Sequence, residues 1–148
     1  MMASKVRLGP LVLIGAVGAC SSSPTNPGES VLIETTESRM VLGDQTVVVA
    51  FMVTNTTSGV SYYLAACGDQ LRVLADRRQG KGWVNHSGGI CPAIYSTVPI
   101  LLRPGQEARH FTNVPVREPG VYRLRLGLST ELGQTSEWLT ASNSFVVR

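Results

Sequence analysis

Val121-Tyr122-Arg123-Leu124-Arg125-Leu126-Gly127-Leu128 (VYRLRLGL) places Tyr122, Leu124, Leu126 and Leu128 on one side and Arg123, Arg125 and Gly127 on the other. A period of two is the signature of a β-strand with one buried and one wet face. Upstream, Glu118-Pro119-Gly120 predicts a type II turn, because Gly accepts the positive φ at the third position. Working back toward the N-terminus, Thr46 to Thr54 (TVVVAFMVT) is β-branched and apolar on both faces, as expected of a strand in the middle of a sheet.

The same rhythm fills the rest of the chain. Asn55-Thr56-Thr57-Ser58-Gly59 is a turn cluster, Val60 to Leu64 and Leu71 to Leu74 are extended, and Asp76 to Gly82 (DRRQGKG) reads as a basic, solvated hairpin tip. Val98 to Leu102 runs into Arg103-Pro104-Gly105-Gln106, a second predicted type II turn, and Glu107 to Val114 follows. Leu132-Gly133-Gln134 turns the chain into Glu137 to Thr140, and Phe145 with Val147 close a last strand, while Ser30 to Glu37 supplies an edge strand. About seven to nine short strands without an amphipathic helix make the domain all-β, an antiparallel sandwich. In such a sandwich a Tyr just after a turn buries its ring while its hydroxyl reaches nearby backbone, which makes Tyr122 a fold residue. Trp83 and Trp138 read as core or strand-edge packing.

With 148 residues, 43% hydrophobic and 16% charged, the chain supports one domain and is neither a coiled coil nor a highly charged disordered segment. The domain is confined to residues 31 to 148. Residues 1 to 19 read as a signal peptide: Lys5 and Arg7 precede an uncharged run, Leu8 to Ala19, and small residues follow. Those twelve residues would cover only about 18 Å of a hydrocarbon core roughly 30 Å thick, too little to span it. Ser21 to Ser30 (SSSPTNPGES) has no bulky apolar side chain, so residues 20 to 30 form a flexible tether.

Val17-Gly18-Ala19-Cys20 resembles a bacterial lipobox, with Val in place of the commoner Leu. The resemblance implies a mature chain beginning at a lipid-carrying Cys20 and held on a membrane by its acyl chains. By the rule of that family, Ser21 after the Cys directs the protein to the outer membrane where the cell has two. Removing Cys20 from the three cysteines leaves Cys67 and Cys91 as a pair in an oxidising compartment, read as a disulfide. The alternative, a metal site on Cys67, Asp69, His86 and Cys91, lacks a Cys-x-x-Cys or His-x-x-x-His pair.

Phe51-Met52-Val53-Thr54-Asn55-Thr56, Leu71-Arg72-Val73, Gly82-Trp83, Leu102-Arg103-Pro104-Gly105 and Pro119-Gly120-Val121-Tyr122-Arg123-Leu124 resemble, in that order, bacterial immunoglobulin-like domains. The nearest kinds are small domains found in lipoproteins and in proteins similar to the bacterial intracellular proteinase inhibitor. The resemblance covers residues 31 to 148 and implies an immunoglobulin-like β-sandwich.

Catalytic chemistry is sparse. His86, in a Gly-rich stretch read as a loop, and His110, in a predicted strand, are the two imidazoles, and Asp69 and Asp76 lack a His partner. No Gly-x-Ser-x-Gly elbow, His-Glu-x-x-His pair or phosphate-binding Gly loop occurs. The expectation is a non-enzymatic, lipid-anchored envelope protein whose domain binds another protein or is a structural occupant of the cell surface, without metal or small-molecule cofactor. The alternative is a protease inhibitor presenting a rigid loop, with Ser87, Gly88, Gly89, Ile90 and Tyr95 as the candidate binding residues. The net charge of +3 does not point to nucleic acid, because Lys5 and Arg7 leave with the signal segment; 11 cations then face 10 anions, a balance of +1.

Overall fold

The computed structural model describes residues 27–37, 39–41, 45–88, 91, 93–94, 98–133 and 138–148. The expected signal segment, Cys20, and the residues Gly89, Ile90 and Tyr95 lie outside them. Among the described residues a single helical turn, Pro27–Ser30, precedes thirteen strands, several of them two or three residues long. No helix there is long and apolar enough to cross a membrane.

Two sheets face each other as an immunoglobulin-like sandwich. The first joins β1 (Val31–Thr35), β3 (Thr46–Asn55) and β10 (Glu107–Pro115), with β3 in the middle and both pairings antiparallel. The second is organised around β11 (Gly120–Ser129). One edge of β11 pairs with β12 (Trp138–Ala141) and β13 (Phe145–Val147), and the other with β4 (Tyr62–Leu64) and β7 (Val73–Gln79). β9 (Ile100–Leu102) extends the sheet beyond β4, and β8 (Gly82–Gly88) extends it beyond β7. The chain changes sheets early, for β2 (Arg39–Met40) pairs in parallel with β13.

β4 and β7 are two parts of one long path along β11. Leu64 pairs with Leu128 and Val73 with Leu126, so the residues between them leave the sheet as an excursion. That excursion is the small hairpin of β5 (Ala66–Cys67) and β6 (Gln70–Leu71), turned at Gly68 with a φ of 65°. The Arg72 N–H donates back to the Ala65 carbonyl and closes its base.

The alternation read from the sequence selects the core side of β11, and β3, apolar on both faces in sequence, buries alternate residues against it. Val47, Val49, Phe51 and Val53 of β3 meet Tyr122, Leu124, Leu126 and Leu128 of β11, all buried. Burying each large apolar side chain contributes roughly 2 kcal/mol, so these two strands dominate the fold. Thr140 fastens the layers by donating its hydroxyl to the Val31 carbonyl at 2.8 Å.

Turn chemistry holds at one predicted type II site and fails at the other. At Arg103–Gln106 the Gln106 N–H donates to the Arg103 carbonyl at 3.0 Å and Gly105 has a φ of 69°, as the turn requires. Gly120 instead opens β11 without positive φ, because Glu118-Pro119 makes a corner between sheets rather than a hairpin. A Cβ at Gly120 would approach Arg77 Nε at 3.0 Å and the Tyr122 ring at 3.3 Å, so Gly is there for space.

Asn55, expected in a turn, is the buried last residue of β3. Its Nδ2 donates to the carbonyls of Val60 and Leu102, and its Oδ1 accepts from the N–H and hydroxyl of Thr57. One amide thus ties two loops at the same end of the sandwich. Ser30, assigned above to the tether, is buried, and its carbonyl accepts from the Thr56 N–H and hydroxyl.

Candidate functional site

Cys67 and Cys91 form a disulfide with Cα atoms 5.5 Å apart. It fastens the β5–β6 hairpin to the segment that follows β8. Closing this loop restricts the unfolded chain by about 3.5 kcal/mol in the chain-entropy account. Both thiols of the alternative metal set are consumed by that bond. Among the described residues no three His, Cys, Asp or Glu side chains gather to hold an ion.

Ser87 and Gly88, expected in an exposed loop, are the last two residues of β8. Ser87 is half-buried, and its hydroxyl has no hydrogen-bond partner. Gly88 has a φ of 124°, and a Cβ there would lie 2.6 Å from the Val73 carbonyl oxygen, so no other residue fits without displacement. Beside this pair an open cavity of about 350 Å³ lies between Arg72, Thr112, Asn113 and the disulfide.

The two imidazoles are separate packing elements. β8 carries one extra residue opposite Ala75/Asp76, since Ala75 pairs with Ser87 and Asp76 with Asn85. The extra residue is His86, which therefore lies in a strand and not in a loop, with its ring edge-to-face on Tyr122 at 5.3 Å. His110 stacks on Phe51 at 5.8 Å, and its Nε2 is buried without a partner. Burial lowers the His110 pKa from its ordinary value.

Tyr122 behaves as the sequence predicts. Its ring is fully buried, stacked on Phe145 at 6.2 Å, and its hydroxyl donates to the Glu118 carbonyl at 2.8 Å. Burial raises its pKa above the ordinary phenol value; the nearby Arg77 opposes that shift and Glu118 adds to it. The phenol is thus kept neutral and able to donate.

The basic hairpin is distributed differently from its expected solvated tip. Its turn is only Gly80-Lys81, with Gly80 at a φ of 58°, and the arginines belong to β7. Arg77 forms an ion pair with Glu118 and donates from Nη2 to the Pro119 carbonyl at 3.2 Å, bracing the corner. Arg78 is exposed, opposite Trp83.

The arginines of VYRLRLGL are not on a simply wet face. Asp76 is 2% exposed and receives both. Arg123 places Nε and Nη2 each 3.0 Å from Oδ2, and Arg125 places Nε at 2.9 Å and Nη2 at 2.8 Å from Oδ1. The Arg123 guanidinium lies over the Trp83 ring at 4.5 Å. Trp83 is accordingly a half-buried strand-edge aromatic, whereas the side chain of Trp138 is outside the described structure. The register explains the cluster: Arg123 pairs with Asp76, and Arg125 lies one step diagonally beyond it. Sequence reading missed this site because its anion is more than forty residues from its cations. The available signal was Asp76, the lone acidic residue of β7.

No family model matches the chain, and no curated protein matches it. Among solved structures it is similar to the CARDB domain of a Pyrococcus furiosus protein, solved in complex with di-metal ions. That match has 11% identity, covers 80% of this chain and 87% of that one, and has a TM-score of 0.41. It is also similar to the ApaA protein of Bordetella pertussis, with 16% identity, 79% and 88% coverage and a TM-score of 0.37. At this level of likeness neither protein's ligands nor its role transfers to this chain.

Proposed function

We propose that this is a lipid-anchored protein of the cell envelope whose β-sandwich is a non-catalytic binding module. The observation that carries the non-catalytic part is that both imidazoles, Asp76 and the described cysteines are engaged in the fold. His86 packs on Tyr122, His110 on Phe51, Asp76 is held by two guanidiniums, and the two described cysteines are bonded to each other. General acid–base or nucleophilic catalysis requires such groups to be poised together at a substrate. The lipid anchor rests on the lipobox-like Val17-Gly18-Ala19-Cys20, and outer-membrane delivery on Ser21. Labelled palmitate is expected in the wild type and not in Cys20→Ser; equal labelling rejects the anchor. Crosslinking and affinity capture from intact envelope should recover a protein partner, and capture that does not exceed an unrelated anchored sandwich rejects the binding role.

A second reading, inhibition of an envelope or secreted protease, draws on the bracing of the segment after Gly88 by the Cys67–Cys91 bond. Micromolar protein that leaves a panel of such proteases at full activity rejects it.

A further inference from the structure

The Asp76 cluster is unbalanced. One carboxylate serves two guanidiniums, so the group carries a surplus positive charge, and Arg78 stands beside Trp83 with its own. Among the described residues Asp76 is the sole acid in the strands of this sheet, and Arg39 adds another cation to the same outer face. Asp76 occupies the Nε edge of both guanidiniums, and no further acceptor in the described structure engages them. Their side chains retain 27% and 20% exposure.

We propose that Arg123 and Arg125, oriented by Asp76 and Trp83 and supplemented by Arg78, bind a phosphate group on the outer face of the large sheet. A latch between β7 and β11 needs only one arginine on Asp76; the second, whose other edge meets no acceptor among the described residues, is the feature a latch leaves unexplained. Guanidiniums bind phosphate through paired, charge-assisted hydrogen bonds, and their value rises when their rotamers are already fixed. Here Asp76 and the Trp83 ring fix Arg123, and Asp76 fixes Arg125. A carboxylate would only repeat the two oxygens that Asp76 already supplies, whereas phosphate brings a third oxygen and up to about two negative charges. A lipid headgroup and a soluble phosphorylated compound share this chemistry.

Trp83 provides the readout. The full chain carrying Cys20→Ser and Trp138→Phe retains Trp83 as its lone tryptophan. Sodium phosphate should change Trp83 emission saturably, while sodium chloride at equal ionic strength and sodium acetate should not. Arg125→Gln should weaken the response about tenfold, as loss of one charge-assisted pair predicts. Arg125→Lys keeps the charge and the fold but loses the planar fork, and should fall between the two. A thermal transition recorded for each variant separates lost binding from lost folding.

Cosedimentation then distinguishes the sources. Preference for phosphatidylglycerol over phosphatidylcholine vesicles that Arg125→Gln removes assigns a lipid headgroup; saturation in solution without that preference assigns a soluble phosphorylated compound. The proposal is overturned if the response follows ionic strength alone, if acetate matches phosphate, or if the folded Arg123→Gln/Arg125→Gln double variant still saturates.

Discussion

On the outer face of the three-stranded sheet, Val48 and Phe111 stand 64% and 58% exposed, with Leu32, Ala50 and Met52 around them. On the outer face of the larger sheet the same alternation carries Arg123 and Arg125 onto one carboxylate. In the first, Arg109 lies over Phe111 at 5.4 Å and bonds to no acid among the described residues; in the second, Arg123 lies over Trp83 and also grips Asp76. An exposed strand face can therefore display large apolar side chains among charges that form no ion pair in the described structure, or be held together by charge. Only the second arrangement ties neighbouring strands through their side chains.

Asp76→Leu is the severest test of that difference. It leaves two largely covered guanidiniums without their anion and should cost about 3 kcal/mol, read as a lower urea midpoint with an unchanged slope. A cost within about 0.5 kcal/mol, the range of an ordinary surface substitution, would erase the distinction between the faces.

The apolar sheet also has a pH response, through the His110 ring on its inner side. Its folded pKa is depressed, so the unfolded chain binds the proton more readily. Stability should be fully present above about pH 6.5 and decline as pH falls below it, by at most about 1.4 kcal/mol per pH unit. His110→Phe should remove that slope in acid-titrated thermal unfolding. A slope that persists would shift the effect to the carboxylates.

Smaller effects compare the two cation–aromatic pairs. A double-mutant cycle on Trp83 and Arg123 should give about 1 kcal/mol, and one on Arg109 and Phe111 about 0.5 kcal/mol, because the latter pair is more exposed. Equal coupling would mean that burial does not separate them. Smallest of all, Val48→Thr should change stability by less than about 0.5 kcal/mol.

Local pattern made the framework legible. Period-two alternation located β11, a β-branched run apolar on both faces located β3, Pro-Gly at 104–105 located a type II turn, and the Tyr122 hydroxyl met backbone as expected. The disulfide followed from counting cysteines. What stayed hidden depends on strands meeting across long separations. Arg123 and Arg125 read as wet because Asp76 lies 47 and 49 residues away. Asn55 read as a turn residue because its composition gives no sign that its amide will span to Leu102, 47 residues on. His86 was misplaced for another reason: a single extra residue in β8 reverses which side chains face inward, and no local preference marks it.

The buried Ser30 gives the molecule a direction. The chain enters the fold where the Ser30 carbonyl meets Thr56 and where Asn55 meets the 103–106 turn. From that end β11 runs the whole length of its sheet to the Glu118-Pro119 corner, ten residues or about 33 Å away. The Gly80-Lys81 tip and the Arg77–Glu118 pair stand at this far end. The 55–60 and 103–106 turns therefore lie at the end where the chain enters, the β7–β8 tip lies at the other, and the arginine-bearing face spans the distance between them.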